Sequence, residues 1–325
     1  MLVFLIRRSS QSVVVLLVMS ILVFVGVYAI GNPIDILINP EADQEEFEKA
    51  VRALGLDKPL WEQYWVFLVS AIQGDLGNSF VYNESALMLI LRRMPATLEL
   101  ALSAMFLSLV MGIPLGMIAG LRPNAWYSRT IMSVSILGFS LPTFWVGLMM
   151  IMLFAVMGGW LPASGRGDTV DLFGVPVSFL TGDGLTHLLL PAFNLALFKI
   201  SLVIRLTRAG MRENLLQDYV KFAYAKGLSH ARVIFLHIAK NILVPIITVV
   251  GLELGNVIAF AVVTETIFSW PGMGKLMIDS IGVLDRPIMV AYLMITVLMF
   301  IIINFTVDVL YSVIDPRVRL GDMEK

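Results

Sequence analysis

The chain has 325 residues, of which 58% are hydrophobic and 14% charged, and a mean hydropathy of +0.87 excludes an ordinary water-soluble domain of this length. A formal net charge of −1 offers no basic excess for a nucleic-acid partner. The absence of cysteine removes thiolate catalysis, iron–sulfur clusters, cysteine-ligated zinc and disulfides together, and leaves the redox compartment open.

A helix needs roughly 20 mostly apolar residues to cross about 30 Å of hydrocarbon. Six stretches come near that length: Val13–Ile30, Leu98–Leu121, Ile131–Met157, Leu188–Ile204, Ile242–Val263 and Ile288–Leu310. The expected fold is an all-α polytopic membrane protein with six transmembrane helices. The first span follows Arg7 and Arg8 and ends near Val27-Tyr28-Ala29, features shared with a signal peptide, but its long apolar core reads as a retained anchor. The expected divisions are an inner N-terminus with the first helix (1–30), a folded outer loop (31–96), a five-helix core (97–310) with an inner loop over 205–241, and an inner tail (311–325).

Basic residues set the orientation, because Lys and Arg accumulate in short cytoplasmic loops. The segment from Arg205 to Lys240 also carries Arg208, Arg212, Lys221, Lys226 and Arg232, against only Glu213 and Asp218, and is therefore inside. The stretch from Gly31 to Pro95 has more acids than bases and is outside. Arg122 and Arg129, then Arg317 and Arg319, fit the same alternation, with both termini inside.

In the outer loop, Phe47, Val51 and Leu54 sit at helical spacing, and Gly55 offers a stop. Asp57 and Pro59 then open a helix bearing Trp61, Tyr64, Trp65 and Leu68, an interfacial aromatic pattern. Between the third and fourth spans, Val170, Leu172, Val175, Val177 and Phe179 alternate around Phe173-Gly174, which predicts a small hairpin.

No catalytic constellation is visible. The run from Ser269 to Leu276, Ser-Trp-Pro-Gly-Met-Gly-Lys-Leu, has Ser269 where a Walker A loop needs its first glycine and Leu276 where it needs Ser or Thr. His187, His230 and His237 make no HExxH pair, and no Gly-x-Ser-x-Gly elbow occurs. The chain has no visible means of hydrolysing ATP, and neither metal nor cofactor is expected in it. Charges within spans cost about 2.5–3.5 kcal/mol each and usually face protein or water. Glu99, Lys199 and Asp308 lie near span ends, where snorkelling or pairing accounts for them. Glu253 sits mid-span between Gly251 and Gly255, with Asn256 nearly one turn on. A lining of a translocation path and a buried interhelical hydrogen bond both fit it.

The inner segment Gln217-Asp218-Tyr219-Val220-Lys221-Phe222-Ala223-Tyr224-Ala225-Lys226-Gly227-Leu228-Ser229 reads as a short helix, a sharp stop and a second helix. Gly227 suits a left-handed C-terminal cap, Lys226 suits the helix C-terminus, and Ser229 is placed to cap the second helix. The apolar surface of the short helix fits a groove on another protein or, alternatively, a lipid surface.

The order Ala223-x-Ala225-Lys226-Gly227, followed after a basic helix by Asn241-Ile242-Leu243-Val244-Pro245, resembles the EAA loop of ABC-importer permeases of the dipeptide, oligopeptide and nickel family. Lys221 and Phe222 stand where the loop's name expects Glu and Ala. Similar pieces continue along the chain: Gly74-Asp75-Leu76-Gly77, Ala96-Thr97-Leu98-Glu99-Leu100, Gly112-Ile113-Pro114-Leu115-Gly116, Ser140-Leu141-Pro142-Thr143-Phe144-Trp145, Leu190-Pro191-Ala192, Phe268 to Gly274 and Asp315-Pro316-Arg317. The early outer loop resembles the first, B-type, of the family's two permeases. The resemblance implies the type I importer permease fold in the bacterial inner membrane, with a second homologous permease as heterodimer partner. It also implies one or two ATP-binding subunits, which hold ATP and magnesium, and an extracytoplasmic substrate-binding protein. Asp218 to Gly227 would be the helix that couples to the ATPase. Glu253, Asn256, Glu99 and Pro142 are the candidates for the path, and Pro114, Pro142 and Pro245 can kink their helices. Di- or oligopeptides are the expected cargo, with nickel chelates, glutathione, haem and oligosaccharides as alternatives. An ion-coupled secondary transporter would need inverted repeats with unwound half-helices, and an intramembrane enzyme a nucleophile or metal set, neither of which the sequence displays.

Overall fold

Apolar runs that meet lipid must satisfy every backbone group within the segment, and helices account for most of the chain. The computed structural model describes residues 2–29, 44–53 and 57–314. Gly55, Asp315-Pro316-Arg317 and Arg319 lie outside the described residues. The chain forms two compact units, Met1–Thr97 with Pro271–Ile302, and Leu98–Trp270 with Ile303–Lys325.

The first unit starts with α1 (Leu2–Ala29), α2 (Gln44–Ala53) and α3 (Leu60–Ile72). Helix α3 lies on α1: the Tyr64 hydroxyl is 2.8 Å from Ser20 Oγ, and the Phe24 ring sits 5.5 Å from Tyr64 and 5.9 Å from Phe67. Trp61 and Trp65 are exposed. This unit also holds α10 (Met273–Gly282) and the start of α11 (Arg286–Ile314). Between those two helices, Asp285 is fully buried. Its carboxylate accepts from Ser79 Oγ at 2.5 Å and from the Phe80 and Val81 N–H groups at 3.2 and 3.3 Å, tying the outer loop to the α10–α11 corner.

Helix α4 (Ala86–Leu121) begins a dozen residues before the apolar run at Leu98. At 1.5 Å per residue it is about 54 Å long, well beyond the hydrocarbon thickness. The second unit continues with α5 (Trp126–Ser140), α6 (Thr143–Met157), α7 (Gly182–Leu215), α8 (Asp218–Ala225) and α9 (His230–Ile267). The stretch Ile131–Met157, expected as one continuous span, is instead two helices meeting at a 106° bend. Pro142 removes a backbone donor and pushes the preceding residue out of the helical region, and Leu141 is accordingly extended (φ −82°, ψ 136°). Among the described residues five helices are long and apolar enough to cross a membrane, or six where the bent pair counts as one span. Pro191 and Pro245, by contrast, lie inside uninterrupted helices.

Helix α7 is the centre of this unit. Its most apolar window is 67% buried, against 11% for α1, and α5, α6 and α9 all pack on it. Helix α4 meets it through Gly112, Gly116 and Gly120. A Cβ on Gly116 would stand 2.5 Å from Thr207 Cβ and 2.8 Å from the Ile204 carbonyl oxygen, so only glycine permits the approach. The expected hairpin is present as β1 (Val170–Leu172) and β2 (Val175–Val177), antiparallel, with Val170 opposite Val177. Its turn residues Phe173 and Gly174 both have positive φ, +54° and +83°, as a tight two-residue turn requires.

Helices α3, α9 and α10 share one ending. Gly74, Ser269 and Leu284 adopt φ of +83°, +47° and +52°, and the next N–H reaches back five residues: Asp75 to Ser70 (2.9 Å), Trp270 to Glu265 (2.8 Å) and Asp285 to Ser280 (2.9 Å). Left-handed geometry costs a non-glycine residue about 1–2 kcal/mol. Ser269 and Leu284 sustain it because the next residues, Trp270 and Asp285, are fully buried and fix the exit of the chain. The stretch with the superficial look of a phosphate loop thus begins as a helix C-cap.

Candidate functional site

Helix α8 is short, solvent-facing on one side and anchored on the other. Val220 and Ala223 are buried, while Tyr219, Lys221, Phe222, Tyr224, Ala225 and Lys226 are exposed. Val220 and Ala223 are three residues apart and share a face, and α8 packs on the π-helical opening of α9, Val233–Ile238. The N-cap residue Gln217 makes no side-chain cap bond. Asp218 pairs instead with Lys221 at 2.8 Å, and that hydrogen bond and charge hold its carboxyl below the usual carboxylate range.

The C-terminus of α8 closes as the sequence suggests. Gly227 has φ +79°, its N–H donates to Tyr224 O at 2.9 Å, and the Leu228 N–H donates to Ala223 O at 3.2 Å. These are the two bonds of a Schellman cap. Ser229 occupies the N-cap position of α9, but its side chain makes no cap bond, contrary to expectation. Lys226 Nζ instead lies 4.6 Å from the Phe222 ring centre and covers it.

Two tyrosines strap this helix to its long neighbours. The Tyr219 hydroxyl donates to Asn214 Oδ1 on α7 at 2.7 Å, and Asn214 Nδ2 donates to Gly210 O at 2.9 Å. The Tyr224 hydroxyl lies 2.6 Å from His230 Nδ1 at the start of α9, with the two rings stacked 5.8 Å apart. A cleft of about 280 Å³ opens between α7 and α9, lined among others by Leu206, Gly210, Asn214, Asn241, Pro245 and Val249.

Midway along the same two helices, Lys199 of α7 pairs with Glu253 of α9. Asn256 Nδ2 donates to the same carboxylate oxygen at 3.4 Å, and Lys199 Nζ sits 5.3 Å from the Phe198 ring centre. Phe198 in turn stacks on Phe139, near the end of α5, at 4.2 Å. The structure thus gathers Glu253 and Asn256 with Lys199, which the sequence set aside as a span-end charge. Pro142 stands apart, at the α5–α6 bend. Asp308 is half-buried on α11.

Glu99 belongs to a different arrangement. It is 7% exposed, and its two oxygens accept five bonds: Arg166 Nε (3.0 Å) and Nη2 (2.5 Å), Ser178 N (2.6 Å) and Oγ (2.9 Å), and Phe179 N (2.9 Å). Arg166 also donates to Pro176 O at 2.7 Å and lies 5.7 Å from the Trp270 ring centre. The carboxylate therefore joins α4, the end of β2 and the α9 cap. Sequence reasoning missed Arg166. Its one signal is its position between Gly165 and Gly167, both of which adopt left-handed φ, +91° and +68°. Among the described residues there is no cluster of three or more His, Asp or Glu able to hold a metal ion.

These features have counterparts in known proteins. Residues 112–320 match the binding-protein-dependent transport system inner membrane component family, and residues 1–101 match the N-terminal part of such membrane components. The chain is 39% identical to the di/tripeptide transport system permease protein DppB of Pseudomonas aeruginosa, over 98% of this chain and 99% of the relative. It is 35% identical to the dipeptide transport system permease protein DppB of Escherichia coli K12 and 35% identical to the glutathione transport system permease protein GsiC of Escherichia coli O6:H1, each over 98% of this chain and 99% of the relative. The inward-facing MetNI methionine ABC transporter shares the fold, with a TM-score of 0.54 at 14% identity, over 70% of this chain and 97% of that one. The chain therefore belongs to the binding-protein-dependent transport system inner membrane components: it is a multi-pass inner-membrane permease of an ATP-binding-cassette importer, without cofactor or catalysis of its own, working with ATPase and binding-protein partners.

Proposed function

We propose that this permease pairs with a second, homologous permease to form a path for di- or oligopeptides, and that α8 is the element through which an ATPase subunit drives it. One observation carries the coupling role. Helix α8 buries only Val220 and Ala223 against its own chain and turns Phe222 and Ala225 outward, an apolar surface suited to a groove on a partner. Closure of the ATPase subunits on nucleotide would displace α8 as a rigid body. The Tyr219–Asn214 and Tyr224–His230 contacts would pass that displacement to α7 and α9. Those helices flank the inner cleft and the Lys199–Glu253 pair, so their rotation changes access to both. In this reading Glu253, Asn256 and the Pro142 bend border the path. Glu99, with both oxygens occupied by five donors, holds the outer segment in place and takes no part in it.

The peptide cargo rests on relatives named for di/tripeptide and dipeptide transport, matched over nearly their full lengths. A relative named for glutathione transport is close to the same identity. Glutathione is the second reading, and it too is peptide-like, with one ammonium and two carboxylates. Copurification of the assembled importer with its binding protein, followed by mass spectrometry of the bound ligand, tests the cargo. Dipeptides or short peptides are expected. A bound sugar, haem or metal chelate would overturn the proposal.

A further inference from the structure

An ion pair in mid-span has to be explained by what surrounds it, since a charge facing lipid costs about 2.5–3.5 kcal/mol even on the most lenient scale. Lys199 and Glu253 are unequally enclosed, with side-chain exposures of 11% and 27%. Glu253 is therefore the open member. Three and seven residues further along α9, Asn256 is half-buried and Phe260 exposed, while Val250 and Val257, three before and four after, are buried, so Glu253 sits at the border between the packed and the open face of α9. The opposite face of α9 is closed: Gly251 packs on α11, where an added Cβ would meet Val307 at 2.9 Å. The cleft between α7 and α9 lies further along the same two helices. Val249, in its lining, is one turn from Glu253, and Leu206 is two turns from Lys199.

The pair is also incompletely used. Both contacts to the Glu253 carboxylate, from Lys199 Nζ and Asn256 Nδ2, fall on Oε2. Among the described residues Oε1 accepts no hydrogen bond, and Lys199 donates to no other acceptor. An ammonium carries three donors and a carboxylate about four acceptor positions, so the chain itself fills only part of the hydrogen-bonding capacity of either partner.

We propose that Lys199 and Glu253 form an exchange site for a zwitterionic cargo: Glu253 holds the Lys199 ammonium at rest and a primary ammonium of the cargo during passage, while the freed Lys199 takes the cargo carboxylate. A neutral pair exchanging partners with a neutral zwitterion leaves no unpaired charge in the membrane at any stage, which avoids the cost of burying an isolated ion. Asn256 holds the carboxylate through the exchange without competing for its charge. The inference rests on the peptide-like cargo proposed above.

The test uses the complete importer, reconstituted in proteoliposomes with its binding protein and supplied with labelled dialanine. In K199M/E253Q both charges are gone and near-isosteric groups remain. In K199E/E253K the pair persists with its polarity reversed across the two helices. If the pair only packs α7 against α9, either double variant restores function. The exchange site predicts that both assemble and retain basal ATP hydrolysis, yet take up dialanine at least tenfold more slowly than wild type. Uptake within twofold of wild type in either variant overturns the inference, as does failure of both to assemble, which would give the pair to helix packing. A wild-type importer that carries no dipeptide at all would instead remove the proposed cargo, and this inference with it.

Discussion

Replacing Gly227 by proline should separate membrane insertion from transport. The residue has φ +79°, far from the value of about −65° to which proline is locked, and its N–H makes the 2.9 Å bond to Tyr224 O. The variant loses that bond, worth about 0.5–1.5 kcal/mol, and cannot form the left-handed turn that brings the Leu228 N–H to Ala223 O. An isolated eight-residue helix is well below the length that sustains itself in water, so α8 depends on this cap and on the Val220–Ala223 face. Together the losses reach about 3 kcal/mol or more, enough to leave α8 ordered in a small minority of molecules. Gly227→Ala retains the N–H and pays only the left-handed penalty of about 1–2 kcal/mol, which makes it a graded control. Both variants should insert and assemble normally, because α8 belongs to none of the candidate spans. In proteoliposomes, binding-protein-stimulated ATP hydrolysis and uptake should fall together, severely in the proline variant and about five- to thirtyfold in the alanine variant. Unchanged stimulation of hydrolysis in Gly227→Pro would refute the assignment of α8 as the coupling element.

Tyr219→Phe and Tyr224→Phe each delete one hydroxyl and keep the ring. At about 0.5–1 kcal/mol per exposed hydrogen bond, each should lower substrate moved per ATP hydrolysed by about two- to fivefold, with assembly and basal hydrolysis unchanged; uptake and phosphate release measured in one preparation check it. Gly116→Leu should fail by another route: an added Cβ already meets Thr207 Cβ at 2.5 Å and the backbone at Ile204 O at 2.8 Å, and overpacking of about 1–3 kcal/mol or more should appear as lower yield and a lower melting temperature of the detergent-solubilised complex. Glu99→Ala leaves the Arg166 guanidinium, 12% exposed, without its carboxylate, and breaking such a pair costs about 3–5 kcal/mol. Loss of assembled permease, followed by blotting and size-exclusion chromatography, should therefore accompany any loss of transport, and a well-assembled but inactive variant would return Glu99 to the path.

The membrane architecture was legible because lipid imposes one rule on every span, and the spacing of Gly227 and the pattern around Phe173-Gly174 were legible because left-handed φ is a local demand that glycine satisfies. The break in the third span was not read from hydropathy. Both halves are apolar, and only Pro142 distinguishes them, whereas Pro191 and Pro245 sit in helices that run on. Whether a proline breaks a helix is settled by what the neighbouring helices can hold together, and that is tertiary information. The left-handed turns at Ser269 and Leu284 were hidden for the same reason. No local preference favours serine or leucine there, and the burial of Trp270 and Asp285 overrides the local cost.

The same distinction separates the intramembrane and near-membrane charges. Position along a span placed Glu99 and Lys199 together as terminal residues and set Glu253 apart, but function follows how many of a group's hydrogen-bonding positions its own chain fills. Glu99 is met by five donors from three residues distant in sequence, Arg166, Ser178 and Phe179, and has little capacity left for a passing molecule. Glu253 is met by two donors on one oxygen. A carboxylate whose acceptor positions are filled from within rigidifies the fold, and one that its own chain fills only in part has capacity left for another donor. That count depends on contacts made across 79 and 54 residues of sequence, which no window along the chain contains.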